Sequence, residues 1–379
     1  MKNLLGAGLR TWLNAIILGV AMVIIILLQG IYQGFEEAMK SARIADEVGK
    51  GQYQHDSYDA LDPLTFDKSH APIPVKLESM IRRSLATPIL VTTATIYPQG
   101  RMQNVTLRGI LPGQKVLGLP TQRLGVHQEE IPLMMGRRMA QQLGMGEGDT
   151  ITVRFKTAQG AFDARDFIVA AVFTTEVPAV DLGQLWVALP ALETMLGLTN
   201  EATMIVLADQ HVSGDVPGFR FKSQDELMQD TTMLIRQKQK NGFIVYTLLI
   251  FVAMVSIFDT QVLAVFRRRK EIGLLMALGL TPNFIVGMFT LEGILHGFFA
   301  GVLGALVGMP LLSWLGRYGI PLPNMTEKMG LAVKVIYPVF GPDLLLMTFA
   351  IIMLILSVVS YLPAKSIAAL QPTQALRGS

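Results

Sequence analysis

Apolar residues follow two different rhythms along this chain. Four nearly unbroken apolar stretches, at about residues 12–33, 242–266, 284–315 and 344–362, are each long enough to cross a hydrocarbon core, which takes about 20 helical residues. Between the first and second the rhythm changes to alternation, and "ILVTTATIY", "NVTLRGI", "DTITVRF" and "DFIVAAVFTT" read as strands. In the same stretch "LMMGRRMAQQLGM" predicts a helix ended near Gly146. The pattern therefore predicts a membrane protein with four transmembrane helices and a large α+β domain inserted between the first and second. "QDELMQDTTMLIRQKQKNGF" has helical character and runs into the second span as a stalk, while residues 317–343 form a Pro- and Gly-rich loop too short for a further domain. The expected division is residues 1–35, 36–240 and 241–379.

Composition agrees with that reading. Of 379 residues, 51% are hydrophobic and only 16% charged, against roughly 25% charged in soluble domains. The formal charge of +3 does not point to nucleic acid, because the cations cluster beside apolar runs, where they orient spans. Lys2, Arg10, Arg267, Arg268, Arg269, Lys270, Lys365 and Arg377 all fall on one side if there are four crossings, and that side is then cytoplasmic. Arg236, Lys238 and Lys240 oppose this and are read as stalk surface or headgroup contacts. The first apolar stretch is too long for a signal-peptide core and no convincing cleavage site comes after it, so it is read as a retained span. With no cysteine there is no disulfide, thiol nucleophile or thiolate metal site.

The segment "RRRKEIGLLMALGLTP", residues 267–282, interrupts the apolar sequence. A topological anchor accounts for its cations but not for the patterned apolar residues next to them. Ile272, Leu275, Met276 and Leu280 have helical spacing, Gly273, Ala277 and Gly279 permit close approach, and Gly279 with Pro282 supplies helix-ending and turn chemistry. A short amphipathic helix that enters a groove on a partner is expected here.

This segment, the Gly-rich third span and the C-terminal "PAKSIAALQPTQALRG" resemble the FtsX/MacB class of four-span (type VII) ABC transporter permeases, and within it the lipoprotein-releasing LolC/LolE type. "MMGRRMAQQLGMGEGDTITVRFKTAQGAFDARDFIVAAVFTT" is similar to the periplasmic core of that class. The resemblance implies a non-enzymatic permease in the bacterial inner membrane, with its large domain in the periplasm. It implies two copies of a separate ATPase as partner, a second permease that is identical or homologous, membrane lipid, and a lipoprotein substrate or periplasmic adaptor. It makes Glu271, Ile272, Leu275, Met276, Leu278 and Gly279 the ATPase-coupling residues. No cofactor is expected in this chain, since ATP and Mg would be bound by the ATPase. In line with that, no G-x-x-x-x-G-K-[ST] phosphate loop occurs in the sequence. Function on this reading is mechanical: ATP-driven motion reaches the periplasmic domain and extracts or exports a lipoprotein or other amphiphile. The alternatives are tripartite efflux of a small molecule or peptide, and a non-transporting regulator of a cell-wall hydrolase.

Other residues carry two readings each. Gly293, Gly297, Gly301, Gly304 and Gly308 would leave one smooth face on the third span, serving either a permease dimer or packing against the chain's own helices. Glu292 and His296 lie one turn apart in that span; a residue near the cytoplasmic end satisfied by a neighbour is favoured over a proton-sensitive pair. His55, His70, His127 and His211, with Asp56, Glu129 and Glu130, follow no catalytic or metal-ligand spacing. Met134, Met135, Met139 and Met145 are read as core before binding surface.

Overall fold

The structure, a computed structural model, describes residues 8–125, 130–209, 214, 216–229, 233, 244, 247–248, 250–252, 254–255, 258–259, 262–263, 266–321 and 335–368. The chain divides into two compact units, one of Met1–Glu36, Ile235–Pro321 and Val335–Ser379, the other centred on Glu37–Leu234.

The first unit is helical, with α1 (Gly8–Arg43), α2 (Arg269–Ala277), α3 (Pro282–Tyr318) and α4 (Pro342–Ala368). Among the described residues three stretches are long and apolar enough to cross a membrane, Ile16–Val48, Pro282–Tyr318 and Pro342–Lys365. They match the first, third and fourth expected spans, and each outlasts its apolar run because polar turns extend the same helical hydrogen-bond ladder. The second expected span at 242–266 and the stalk before it fall in large part outside the described residues, as does the end of the C-terminal motif, 369–378. Leu18, Met22 and Ile26 of α1 pack with Ala300 and Leu312 of α3 and with Leu344, Ile352 and Leu356 of α4. Leu306, Val307, Leu346 and Leu354 face outward, as expected where the surroundings are as apolar as the core.

The second unit is built on strands β1 (Gly51–His55), β2 (Ala71–Pro72), β3 (Ala86–Ile96), β4 (Gln103–Ile110), β5 (Ile131–Gly136), β6 (Thr150–Lys156), β7 (Phe162–Phe173), β8 (Gln184–Ala188), β9 (Glu201–Ala202), β10 (Met204–Leu207) and β11 (Phe219–Ser223). The main sheet runs β11-β1-β10-β3-β4-β8-β5-β7-β6, and β6 returns to pair with the end of β3 through Ala94↔Phe155 and Ile96↔Val153. Six strands thus close into a barrel, while β10, β1 and β11 extend from the first half of β3. Period-2 alternation decides which residues fill the barrel. Leu90, Leu107, Leu133, Met135, Val153, Phe155, Phe167, Val169, Leu185 and Val187 form one core. Their neighbours Ile89, Val91, Met134, Ala171, Trp186, Met204 and Val206 form a second core on the opposite face. A bulge opposite Leu133/Met134 makes this possible, since Val169 and Ala171, both on β7, pair with consecutive residues of β5 and join different cores.

The four alternating segments are strands as expected. The helix expected over 133–145 is corrected: residues up to Gly136 form β5, and the helix is only Arg137–Leu143. Leu and Met are good helix formers, but β5 lies between β7 and β8 with every residue from Pro132 to Gly136 buried, and that pairing overrides local propensity. The helix stops at Gly144, whose φ of +67° suits a glycine, two residues before the expected end. Met134, Met135 and Met139 are fully buried, so the core reading of these methionines holds.

Candidate functional site

The Gly-Leu-Thr-Pro sequence makes an abrupt stop and restart. Gly279 takes φ +95°, its N–H donates to Met276 O at 3.1 Å and Leu280 N–H donates to Leu275 O at 3.1 Å, the paired bonds of a Schellman cap. Thr281 then adopts an extended conformation and Pro282 opens α3, where a missing N–H costs no hydrogen bond. The result is a nine-residue helix, α2, held between two turns.

Its two sides differ. Ile272 is 1% exposed and packs with Ile285, Val286 and Phe289 of α3 and Ala364 of α4, with Leu275, Met276 and Leu280 partly buried against the same cluster. On the other side Leu274 is 57% and Leu278 74% exposed, and Glu271, Ala277 and Gly279 are exposed too. Of the residues expected to couple to a partner, Ile272, Leu275 and Met276, with Leu280, thus pack against the chain's own helices in this structure, while Glu271, Leu278 and Gly279 are exposed. The available row is Glu271, Leu274 and Leu278, at i, i+3 and i+7, which is one face of a helix. Leu274 was missed. Both faces of α2 are apolar, and hydrophobic spacing alone does not say which one meets α3.

The cation block does more than anchor. Arg268 places Nη1 3.2 Å and 3.0 Å from the two carboxylate oxygens of Glu292, joining the start of α2 to α3. The favoured reading of Glu292, a carboxylate satisfied by a neighbour, is the one observed. The side chain of His296 lies outside the described residues.

The third-span glycines resolve into two sides, not one face. A Cβ at Gly297 would lie 2.2 Å from Leu356 Cδ1, and one at Gly301 2.6 Å from Phe349 Cε2, both on α4. One at Gly304 would lie 3.1 Å from Gly19 O, and one at Gly308 2.5 Å from Val23 Cγ2, both on α1. Gly293 is buried. Gly297, Gly301, Gly304 and Gly308 thus pack within the chain, letting α3 approach two helices closely.

In the strand-rich unit, no group of His, Asp and Glu suited to a metal occurs among the described residues. His70 Nδ1 contacts Glu201 Oε2. Burial lowers the pKa of His55 from its ordinary value. Glu130 is exposed, and His127, His211 and Glu129 lie outside the described residues.

With this geometry in place, the class can be stated. Residues 243–372 match the FtsX-like permease C-terminal family, and this part of the chain, which holds α2, α3 and α4, is an FtsX-like permease domain. The chain is also similar over most of its length to individual permeases. It is 24% identical over 336 residues to the lipoprotein-releasing system transmembrane protein LolC of Neisseria meningitidis serogroup B, covering 80% of this chain and 76% of that protein. It is 23% identical to LolC of Xylella fastidiosa strain 9a5c, covering 77% of each. Among solved structures, the periplasmic region of MacB from Actinobacillus actinomycetemcomitans aligns with 48% of this chain and 93% of its own, at 12% identity and a TM-score of 0.33.

Proposed function

We propose that this chain is the permease subunit of an ABC transporter, itself without catalytic activity. It works as an identical or homologous pair on two copies of a separate ATPase that binds ATP and Mg. It sits in the bacterial inner membrane with four transmembrane helices, both termini and α2 in the cytoplasm, and Glu37–Leu234 in the periplasm. The observation that carries the reading is α2. It is fixed on one side to α3 and α4 by Ile272 and by Arg268–Glu292, and turns Glu271, Leu274 and Leu278 outward. A rigidly seated helix with exposed leucines suits insertion into an ATPase groove. ATP-driven movement of the ATPases displaces α2, the spans tilt, and the periplasmic unit moves. A lipoprotein or other amphiphile is the proposed substrate, in line with the relatives named for lipoprotein release.

The test is Leu274→Asp/Leu278→Asp in the full chain, co-expressed with its ATPase. Placing carboxylates in an apolar contact costs several kcal/mol, so partner retention should fall at least about a hundredfold at ~1.4 kcal/mol per decade. Both positions are exposed in the free chain, so expression and insertion should be unchanged. Normal ATPase retention and normal transport by this variant would sink the proposal.

A further inference from the structure

In the strand-rich unit, one polar cavity of about 540 Å³ is lined by Arg43, Glu47, Gln52, Gln54, Tyr58, Arg108 and Lys222, with Asp56, Asp59 and Glu226 at its edge. Strand register explains the lining. Gln52 pairs with Lys222 and Val206, Gln54 with Arg220 and Met204, and Val91 of β3 with Arg108. These residues share the sheet face that carries the second core. An apolar face is thus interrupted by a patch of amides and cations.

Arg108 is the anomaly in this patch. It is only 6% exposed, its guanidinium carbon stands 5.5 Å over the Trp186 ring, and its Nε has no hydrogen-bond partner. Among the described residues no carboxylate forms an ion pair with it. The carboxylates nearby are engaged or peripheral: Glu47 pairs with Arg43 at 3.0 Å, Asp56 faces Arg220 at 3.9 Å, Asp59 Oδ1 accepts from Leu61 N–H, and Glu226 is exposed. A buried charge is costly unless paired, and a π-face returns only part of that cost. Among the described residues, then, a desolvated guanidinium stands against an open cavity with no anion supplied to it. Gln52 and Gln54 are tied down, Gln52 Nε2 donating to Glu47 O at 2.8 Å and Gln54 Nε2 to Gln52 Oε1 at 2.8 Å, so neither is a mobile substitute.

We propose that this cavity is a binding site for an oxyanion, a phosphate ester of headgroup size, held by Arg108 from below with Lys222 as a second cation. Its volume falls in the roughly 300–1,000 Å³ range of small-molecule sites, and the planar fork of Arg108 matches two phosphate oxygens. The exposed carboxylates at the edge favour a phosphate whose other end carries an amine. The site goes beyond the transport reading and does not depend on it.

The indole under Arg108 supplies the readout. In the full chain with Trp12→Phe and Trp314→Phe, Trp186 is the remaining tryptophan of the three. Its fluorescence is titrated with inorganic phosphate, with glycerophosphoethanolamine, and with short-chain phosphatidylethanolamine, each to about 10 mM, ten times a Kd of ~1 mM. Saturable change with glycerophosphoethanolamine or the lipid supports the site. Equal affinity for the two assigns it to a free phosphodiester, and tighter lipid binding assigns it to a headgroup. Arg108→Met should weaken the response at least about tenfold. Lys222→Ala, half-buried and outside the apolar core, should weaken it several-fold if Arg108→Met does not yield folded protein. No saturable response to the two ethanolamine probes, or full affinity retained in Arg108→Met or in Lys222→Ala, overturns the proposal. The assay needs no ATPase, so its failure leaves the coupling reading standing.

Discussion

Gly19 of α1 and Gly304 of α3 meet backbone to backbone, and replacing one of them tests the packing of the permease domain. A Cβ at Gly19 would lie 2.9 Å from Ala300 O, 3.3 Å from Gly304 N and 3.4 Å from Gly304 Cα. The obstructing atoms are main chain, so no side chain can swing away. Taking 3.4 Å as ordinary contact, α1 and α3 must part locally by about half an ångström, and overpacking of this kind costs typically 1–3 kcal/mol. Exchanging Gly for Ala in a helix offsets roughly 1 kcal/mol of that. Gly19→Ala should therefore destabilise by up to about 2 kcal/mol. Gly287, also in α3, is the control: it is exposed with nothing within 4 Å of its Cβ position. Gly287→Ala should be neutral or stabilising by up to ~1 kcal/mol. Thermal unfolding of the purified chain in detergent, followed by intrinsic fluorescence, compares them. Adding Gly304→Ala to Gly19→Ala should be non-additive, because the two residues touch. If Gly19→Ala is as stable as Gly287→Ala, α1 and α3 do not pack through these glycines and the contact is wrong.

Three further outcomes are expected. Arg268→Gln should destabilise by about 1–3 kcal/mol by removing the guanidinium that faces both Glu292 carboxylate oxygens, and more than Arg268→Gln/Glu292→Gln does, measured by the same unfolding assay; equal effects would mean the pair is inert. Because the chain has no cysteine, Gln159→Cys, exposed in the strand-rich unit, should react with an impermeant thiol reagent from outside the cytoplasmic membrane, and labelling only from the cytoplasmic side refutes the proposed topology. Burial raises the pKa of Glu193 above its ordinary value, so the native chain binds more protons than the unfolded chain just above pH 4.5, and this group's contribution to stability is lost as pH rises through its folded pKa. Glu193→Gln should accordingly gain stability over the parent as pH is raised from about 4 to 7, and an unchanged difference across that range would contradict it.

What the sequence disclosed depended on whether a residue's environment is set locally. The first, third and fourth span positions, the alternating strands and the Gly279–Pro282 turn were legible because hydrophobic period and turn chemistry are local signals. β5 was not: Leu133, Met134 and Met135 favour helix, and only long-range pairing with β7 and β8 makes them strand. Barrel closure through Ala94 and Phe155 was equally invisible, since the two partners are 61 positions apart in sequence. The buried Arg108 reads as an ordinary surface position of β4 until the residues it faces are known. The third-span glycines announced close packing but not the identity of their neighbours.

The same distinction governs α2, where the residues expected to meet an ATPase are the ones that hold the helix in place. This arrangement has a mechanical consequence. A helix whose apolar face were wholly given to a partner would have little attachment to its own spans, and a push on it would bend the two turns. Here Ile272 is wedged among Ile285, Val286 and Phe289 of α3 and Ala364 of α4, and Arg268 ties the start of α2 to Glu292 one turn beyond that cluster. Close-packed interiors transmit displacement instead of absorbing it. Force applied at Leu274 and Leu278 therefore reaches α3 and α4 first, and α1 through its packing against both, which includes the glycine contacts at Gly304 and Gly308. On this route Ile272→Ala, which removes the wedge and leaves Leu274 and Leu278 untouched, should preserve ATPase retention while uncoupling hydrolysis from transport. It should also lower stability by about 2–5 kcal/mol, so the comparison requires Ile272→Val, which keeps most of the buried volume and costs about 0.5–1.5 kcal/mol, as a variant that stays folded. Were ATPase binding lost in Ile272→Ala at a temperature where the chain is still folded, the inner face of α2 would itself be part of the docking surface, and the division of labour between its two sides would be wrong.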